Sequence, residues 1–120
     1  MKIGSHGWSH IDWRKTDDVT LNQEINSAKR KIEDTIGRKV DSLAIPFGSY
    51  DRRIMNMLGG FDRIYTSDTG LVPVSGRVFQ RWSYQKDWSA DNNLIRLAAI
   101  SDGKVFKAQR ALKMAIKRLR

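Results

Sequence analysis

The chain holds two histidines, four residues apart, in the run Gly4-Ser5-His6-Gly7-Trp8-Ser9-His10. Neutral imidazole is the commonest protein ligand for a metal ion. A His-x3-His pair can reach one ion from a helix or from a turn that follows a strand, and Gly7 between the two favours the turn. Two nitrogens do not complete a catalytic zinc site, which takes three protein ligands and keeps one position open for water. The sequence has no cysteine, so the third ligand must be of another kind and come from elsewhere. A second stretch, Pro46-Phe47-Gly48-Ser49-Tyr50-Asp51, has the proline and glycine of a loop directly after an apolar run.

The elements that must position these residues can be read from periodicity. Residues 1–5 read as the end of a strand, with Ile3 its one large apolar side chain. Leu21, Ile25, Ala28, Ile32 and Ile36 fall at steps of four and three, which predicts a helix over 20–36. Thr20 with Gln23 fits a capping box, and Gly37 is a stop. Residues 40–45 read as a buried strand ended by Pro46. Ser49 or Asp51 is placed to cap a short helix over 52–58 with Ile54, Met55 and Leu58 inward. Residues 62–67 and 78–83 are further strands, and Asp68-Thr69-Gly70 and Val74-Ser75-Gly76 are turns. Asp91 opens a helix through Leu94, Ile95, Leu97 and Ala98, and a last helix runs from Lys104 with Val105, Ala108, Leu112, Ala115, Ile116 and Leu119 on one side. Strand, helix, strand, helix, strand implies right-handed parallel βαβ units. Asp17 and Asp18 read as turn residues suited to a helix N-terminus rather than as a metal pair. Asp68, near a strand end, is a candidate acid.

At 120 residues and 40% apolar content the chain is one small globular domain. Without cysteine, disulfides and thiolate metal sites are excluded. No apolar run approaches membrane-spanning length, and the first residues lack the apolar core of a signal peptide. The net charge is +9, yet Lys104, Lys107, Arg110, Lys113, Lys117, Arg118 and Arg120 supply seven of those charges without one acid among residues 104–120. The rest of the chain is close to neutral. This distribution argues against a nucleic-acid-binding face spread over the domain. It leaves two readings of the tail: a solvated helix with its apolar face on the domain, which is preferred, or weak contact with an anionic membrane surface.

The run from Ile3 to Asp12 resembles the histidine motif of the NodB-type polysaccharide deacetylases (carbohydrate esterase family 4), commonly Gly-Asn/Ser-His-Thr-x-Ser-His-Pro-Asp. Gly7 stands where the family usually has Thr or Ser, and Ile11 where it often has Pro. Leu43-Ala44-Ile45-Pro46-Phe47-Gly48-Ser49-Tyr50-Asp51 is similar to the AYPFGSYD form of the family's third motif. The helix between carries the Glu24, Lys29, Lys31, Ile32 and Gly37 texture seen there. Tyr65 to Val72 looks like the TTEPGLV region, and Arg81 falls where many members have a Pro-Arg-Ile strand. The resemblance covers roughly residues 3–83.

The resemblance implies a partial, distorted (β/α) barrel over 1–103 followed by a basic helix over 104–120. It also implies removal of N- or O-linked acetyl groups from a polysaccharide that depends on a divalent metal, zinc in the family's manner. On that basis His6 and His10 are metal ligands, and the backbone N–H of Phe47 is the oxyanion donor. Arg81 orients an acidic group, and Pro46, Phe47, Gly48 and Trp82 contact the sugar. Trp8 is a further stacking candidate, although core burial is the plainer reading of both tryptophans. The sequence also departs from the pattern. Ala44 replaces a common arginine, no third histidine follows Trp82, and the family's N-terminal Asp-Asp motif is not found. The expectation is therefore the C-terminal part of a deacetylase domain, with weak metal binding and little turnover, or a non-catalytic glycan-binding remnant of the same family. Such a protein is expected in the cytoplasm or at the cell envelope of a bacterium.

Overall fold

A carboxylate sets the start of the first long helix. In the computed structural model, which describes residues 1–69, 76–81, 91, 92, 95 and 104–119, Asp17 caps α1 (Asp18–Asn22) by accepting from the Thr20 N–H at 2.9 Å and from the Thr20 hydroxyl at 2.9 Å. The capping box read at Thr20 and Gln23 is thus corrected. Thr20 lies three residues inside the helix, and the aspartate ahead of it satisfies the free N–H. Asp18 sits in the positive first turn and pairs with Arg53 at 2.6 Å.

α1 passes through a π turn (Gln23–Ser27) into α2 (Ala28–Ile36), and Glu24 and Ile25, adjacent in sequence, are both buried there. Gly37 ends α2 with φ +67, a left-handed conformation that favours glycine. The chain then enters β1 (Ser42–Ala44), crosses the Pro46–Gly48 turn, and forms α3 (Arg52–Met57), capped by Asp51 onto the Ile54 N–H at 2.9 Å. β2 (Arg63–Thr69) and β3 (Val78–Arg81) follow. β2 runs on through Asp68 and Thr69, where the sequence suggested a turn.

The sheet has the order β1-β2-β3, parallel throughout, with Leu43 opposite Ile64 and Tyr65 opposite Phe79. Residues 1–5 contribute one parallel bridge, Ser5 to Leu43, on the free edge of β1. The α/β reading with parallel connections is met; the described strands form an open sheet. Leu43, Ile45 and Ile64 bury one face of it against Leu21, Ile25 and Ile54. Trp13, which the periodicity did not single out, is fully buried in this core, whereas Trp8 is 59% exposed. The core reading of Trp8 is therefore corrected.

α4 (Lys104–Leu119) lies along the end of the sheet, with Gln80 Nε2 on Met114 Sδ and Lys117 Nζ 2.5 Å from Asp68 Oδ1. Its apolar stripe does not face the domain as preferred from the sequence: Leu112, Ile116 and Leu119 are exposed. Trp82, the turn residues 70–75 and most of the helix expected after Asp91 lie outside the described residues. Among the described residues, no helix is long and apolar enough to cross a membrane.

Candidate functional site

Because the strands are parallel, their carboxyl ends share one end of the sheet, the place where open α/β sheets bind ligands. His6 follows the Ser5 bridge, Pro46 follows β1, Ser67 and Asp68 close β2, and Arg81 closes β3.

His6 Nδ1 lies 2.8 Å from the Ala44 carbonyl. A carbonyl only accepts, so Nδ1 carries the proton and the neutral ring keeps its free lone pair on Nε2. Second-shell hydrogen bonds of this kind fix the tautomer of metal-binding histidines. The His6 and His10 rings are 4.8 Å apart, and the His10 ring rests 4.6 Å from the Phe47 ring. Sequence reasoning placed all three at one site, and the structure brings them together. Among the described residues no third His, Asp or Glu joins the two imidazoles. They fit two positions of a metal site, and the donor set is one ligand short of the usual three.

The turn between the histidines is built around Glu24. Its buried carboxylate accepts from the Trp8 N–H at 3.0 Å, the Ser9 N–H at 3.0 Å and the Trp13 indole at 3.3 Å, and the Ser9 hydroxyl also donates to it. Burial alone would raise its pKa, but these donors together hold it below the ordinary glutamate range. Gly7 is left-handed at φ +83, and a Cβ there would stand 2.9 Å from Glu24 Oε2 and 3.3 Å from the Trp13 ring. A side chain at this position would meet that carboxylate and the Trp13 ring, so glycine suits the turn. Sequence reasoning noted Glu24 only as texture. The signal was available, since Leu21, Glu24, Ile25 and Ala28 share the i, i+3, i+4, i+7 spacing of one face.

The Pro46–Gly48 turn is held from the other side. Phe47 adopts φ +56, is 62% exposed, and its N–H has no acceptor among the described residues. Gly48 has φ +58, and a Cβ on it would overlap Ser67 at 1.6 Å from Oγ. A hydrogen bond from the Ser49 side chain, offset in part by burial, lowers the Asp12 pKa and links this turn to the segment after His10. A groove of about 550 Å³ opens beside His6, lined in part by Ala44, Arg63 and Tyr65.

Two expected participants stand apart. Arg81 is exposed and makes no hydrogen bond or ion pair with the histidines or Phe47 among the described residues. Asp68 is buried with both oxygens engaged: Lys117 donates to Oδ1 at 2.5 Å and the Tyr50 hydroxyl to Oδ2 at 2.6 Å. Burial pushes its carboxyl up, and these bonds outweigh that and lower it. Lys117 also reaches the Gly48 carbonyl at 3.5 Å. Lys117 thus ties α4 both to the Pro46–Gly48 turn and to the end of β2, and Asp68 serves as its anchor, a role unlike that of a free acid.

Fold and site together define an α/β protein with a histidine turn at the carboxyl end of a parallel sheet. The sequence model of the polysaccharide deacetylases matches residues 1–61, which include both turns, and the chain belongs to that family. Comparison with curated proteins gives no match. Among solved structures it is similar to the "putative polysaccharide deacetylase BA0330" from Bacillus anthracis, with a TM-score of 0.64 and 19% identity. The likeness covers 78% of this chain and 31% of that one, and at this identity it speaks for the fold.

Proposed function

We propose that this chain carries the histidine side of a metal-dependent site that hydrolyses N- or O-linked acetyl groups on a polysaccharide, within a distorted (β/α) barrel of which the described sheet is part. The observation that carries this reading is the bond from His6 Nδ1 to the Ala44 carbonyl, which leaves Nε2 free beside the His10 ring. His6 and His10 would hold the ion, zinc by the chemistry of the donors. Such an ion lowers the pKa of a water ligand and polarises a carbonyl. The Phe47 N–H would donate to the negative charge that develops on the acyl oxygen. Pro46, Phe47 and Gly48, with Trp82, would shape the sugar groove, and Arg81 would orient an acidic group. With two ligands among the described residues, this reading gives the 120-residue chain weak zinc binding and low turnover.

The test is zinc calorimetry on the chain beside an assay of acetate release from an N-acetylated oligosaccharide. His10→Ala is expected to weaken zinc binding at least tenfold, and His6→Ala to abolish any release. Zinc affinity unchanged by His10→Ala would remove the metal site. The short donor set, with the exposed Trp8 and Phe47 rings nearby, favours a second reading as a non-catalytic glycan-binding protein. Oligosaccharide binding without acetate release at saturating zinc would select it. Either activity places the protein where bacterial glycans are made or remodelled, in the cytoplasm or at the cell envelope.

A further inference from the structure

The basic segment at the end of the chain has two sides. Met114 and Lys117 meet the domain, at Gln80 and Asp68. At 3.6 residues per turn, Leu112, Ile116 and Leu119 lie roughly 140–200° around the helix from Met114. They are 63%, 44% and 81% exposed. Three large apolar side chains on one stripe, with exposed Ala111 and Ala115 beside them, form a contiguous patch of the kind that marks an interaction surface.

Charge selects the occupant. Residues 104–120 hold seven Lys and Arg and no acid; Lys117 is committed to Asp68, and exposed Lys113 lies beside the stripe. A second copy docked stripe to stripe would bring the same charge and be repelled. A nucleic acid would satisfy the cations and leave the leucines and isoleucine in water. An anionic bilayer meets both needs: its headgroups attract the cations and its acyl boundary accepts the apolar side chains. We infer that α4 is a peripheral membrane-binding helix that lies in the headgroup region of an anionic bilayer with Leu112, Ile116 and Leu119 inserted. The Lys117–Asp68 pair then holds the carboxyl end of the sheet close to that surface. The inference is independent of the deacetylase reading, because it uses neither histidine.

The experiment is co-sedimentation of the full chain with vesicles of phosphatidylcholine containing about 30% phosphatidylserine, against phosphatidylcholine alone. Binding to the anionic vesicles is expected to be at least tenfold tighter and to fall as salt is raised. The combined variant Leu112→Gln, Ile116→Gln, Leu119→Gln is expected to lose about tenfold. Lys113→Glu, which leaves the stripe intact, is expected to lose a similar factor, since each charge near the surface changes affinity about fivefold. Far-UV circular dichroism checks that both variants keep their helix. Equal partitioning to the two vesicle types, or parental binding by the glutamine variant, would overturn the inference. So would a parent that ignores vesicles but forms a dimer, or binds duplex DNA, in a way the glutamine variant does not.

Discussion

The histidine turn and α4 are both attached to the same end of one sheet, and they are attached in opposite ways. The turn is short and polar, and a single buried carboxylate takes four donors from it and from Trp13. α4 is long and regular, and it is tied to the body by Lys117 on Asp68 and Gln80 on Met114. A turn has no internal hydrogen-bond ladder, so its shape must be imposed from outside. A helix satisfies its own backbone and needs only to be placed. Among the described residues, the region that must hold two rings in register is therefore the more heavily fastened one.

Removing each fastening tests that contrast. Glu24→Ala leaves the Trp8 and Ser9 N–H groups and the Trp13 indole without their acceptor. It should cost about 3–5 kcal/mol of stability, on the scale of breaking a buried charged network. Urea denaturation measures this, and zinc affinity should fall with it because the histidine spacing is no longer fixed. Lys117→Met removes one of the partners of Asp68. Tyr50 remains, and Lys117 is partly exposed, so the cost should be smaller, about 1–2 kcal/mol by the same measurement. A larger loss for Lys117→Met than for Glu24→Ala would reverse the ranking.

The smallest effect is the response to acid. Glu24 and Asp68 both have lowered pKa values in the folded chain. A carboxyl lowered on folding contributes stability that is fully present above its unfolded pKa and is lost as pH falls through the folded one. The urea midpoint should therefore be level at neutral pH and decline below about pH 4.5. In Glu24→Ala the decline should be shallower, with the parts of Asp68 and Asp12 remaining. An identical slope in parent and variant would show that Glu24 does not feel its donors.

Much of this arrangement was legible in the residues. The apolar steps from Leu21 to Ile36 located the helix, and Pro46, Gly48 and Asp51 marked the loop and the next cap. Motif order placed the two turns together, where contact between the His10 and Phe47 rings is found. The rest turned on interactions that periodicity does not encode. Asp17 won the cap from Thr20 because a carboxylate one residue ahead of the helix reached the free N–H first. Trp8 and Trp13 have the same side chain, yet one is exposed and the other is in the core. Glu24 meets the backbone of the first and the ring of the second. The exposed stripe of α4 escaped because an amphipathic pattern says that one side is apolar and not what that side meets.

The π turn at Gln23–Ser27 carries one further consequence. Its hydrogen bond from the Ala28 N–H to the Gln23 carbonyl spans five residues, one more than an α-helix uses. Deleting a residue there would restore a regular spiral and swing everything upstream by about 100°. Glu24 would then turn away from Trp8 and Ser9. The helix is thus longer by one position than its own regularity requires, and the surplus keeps its acid aimed at a loop some fifteen positions earlier in the chain.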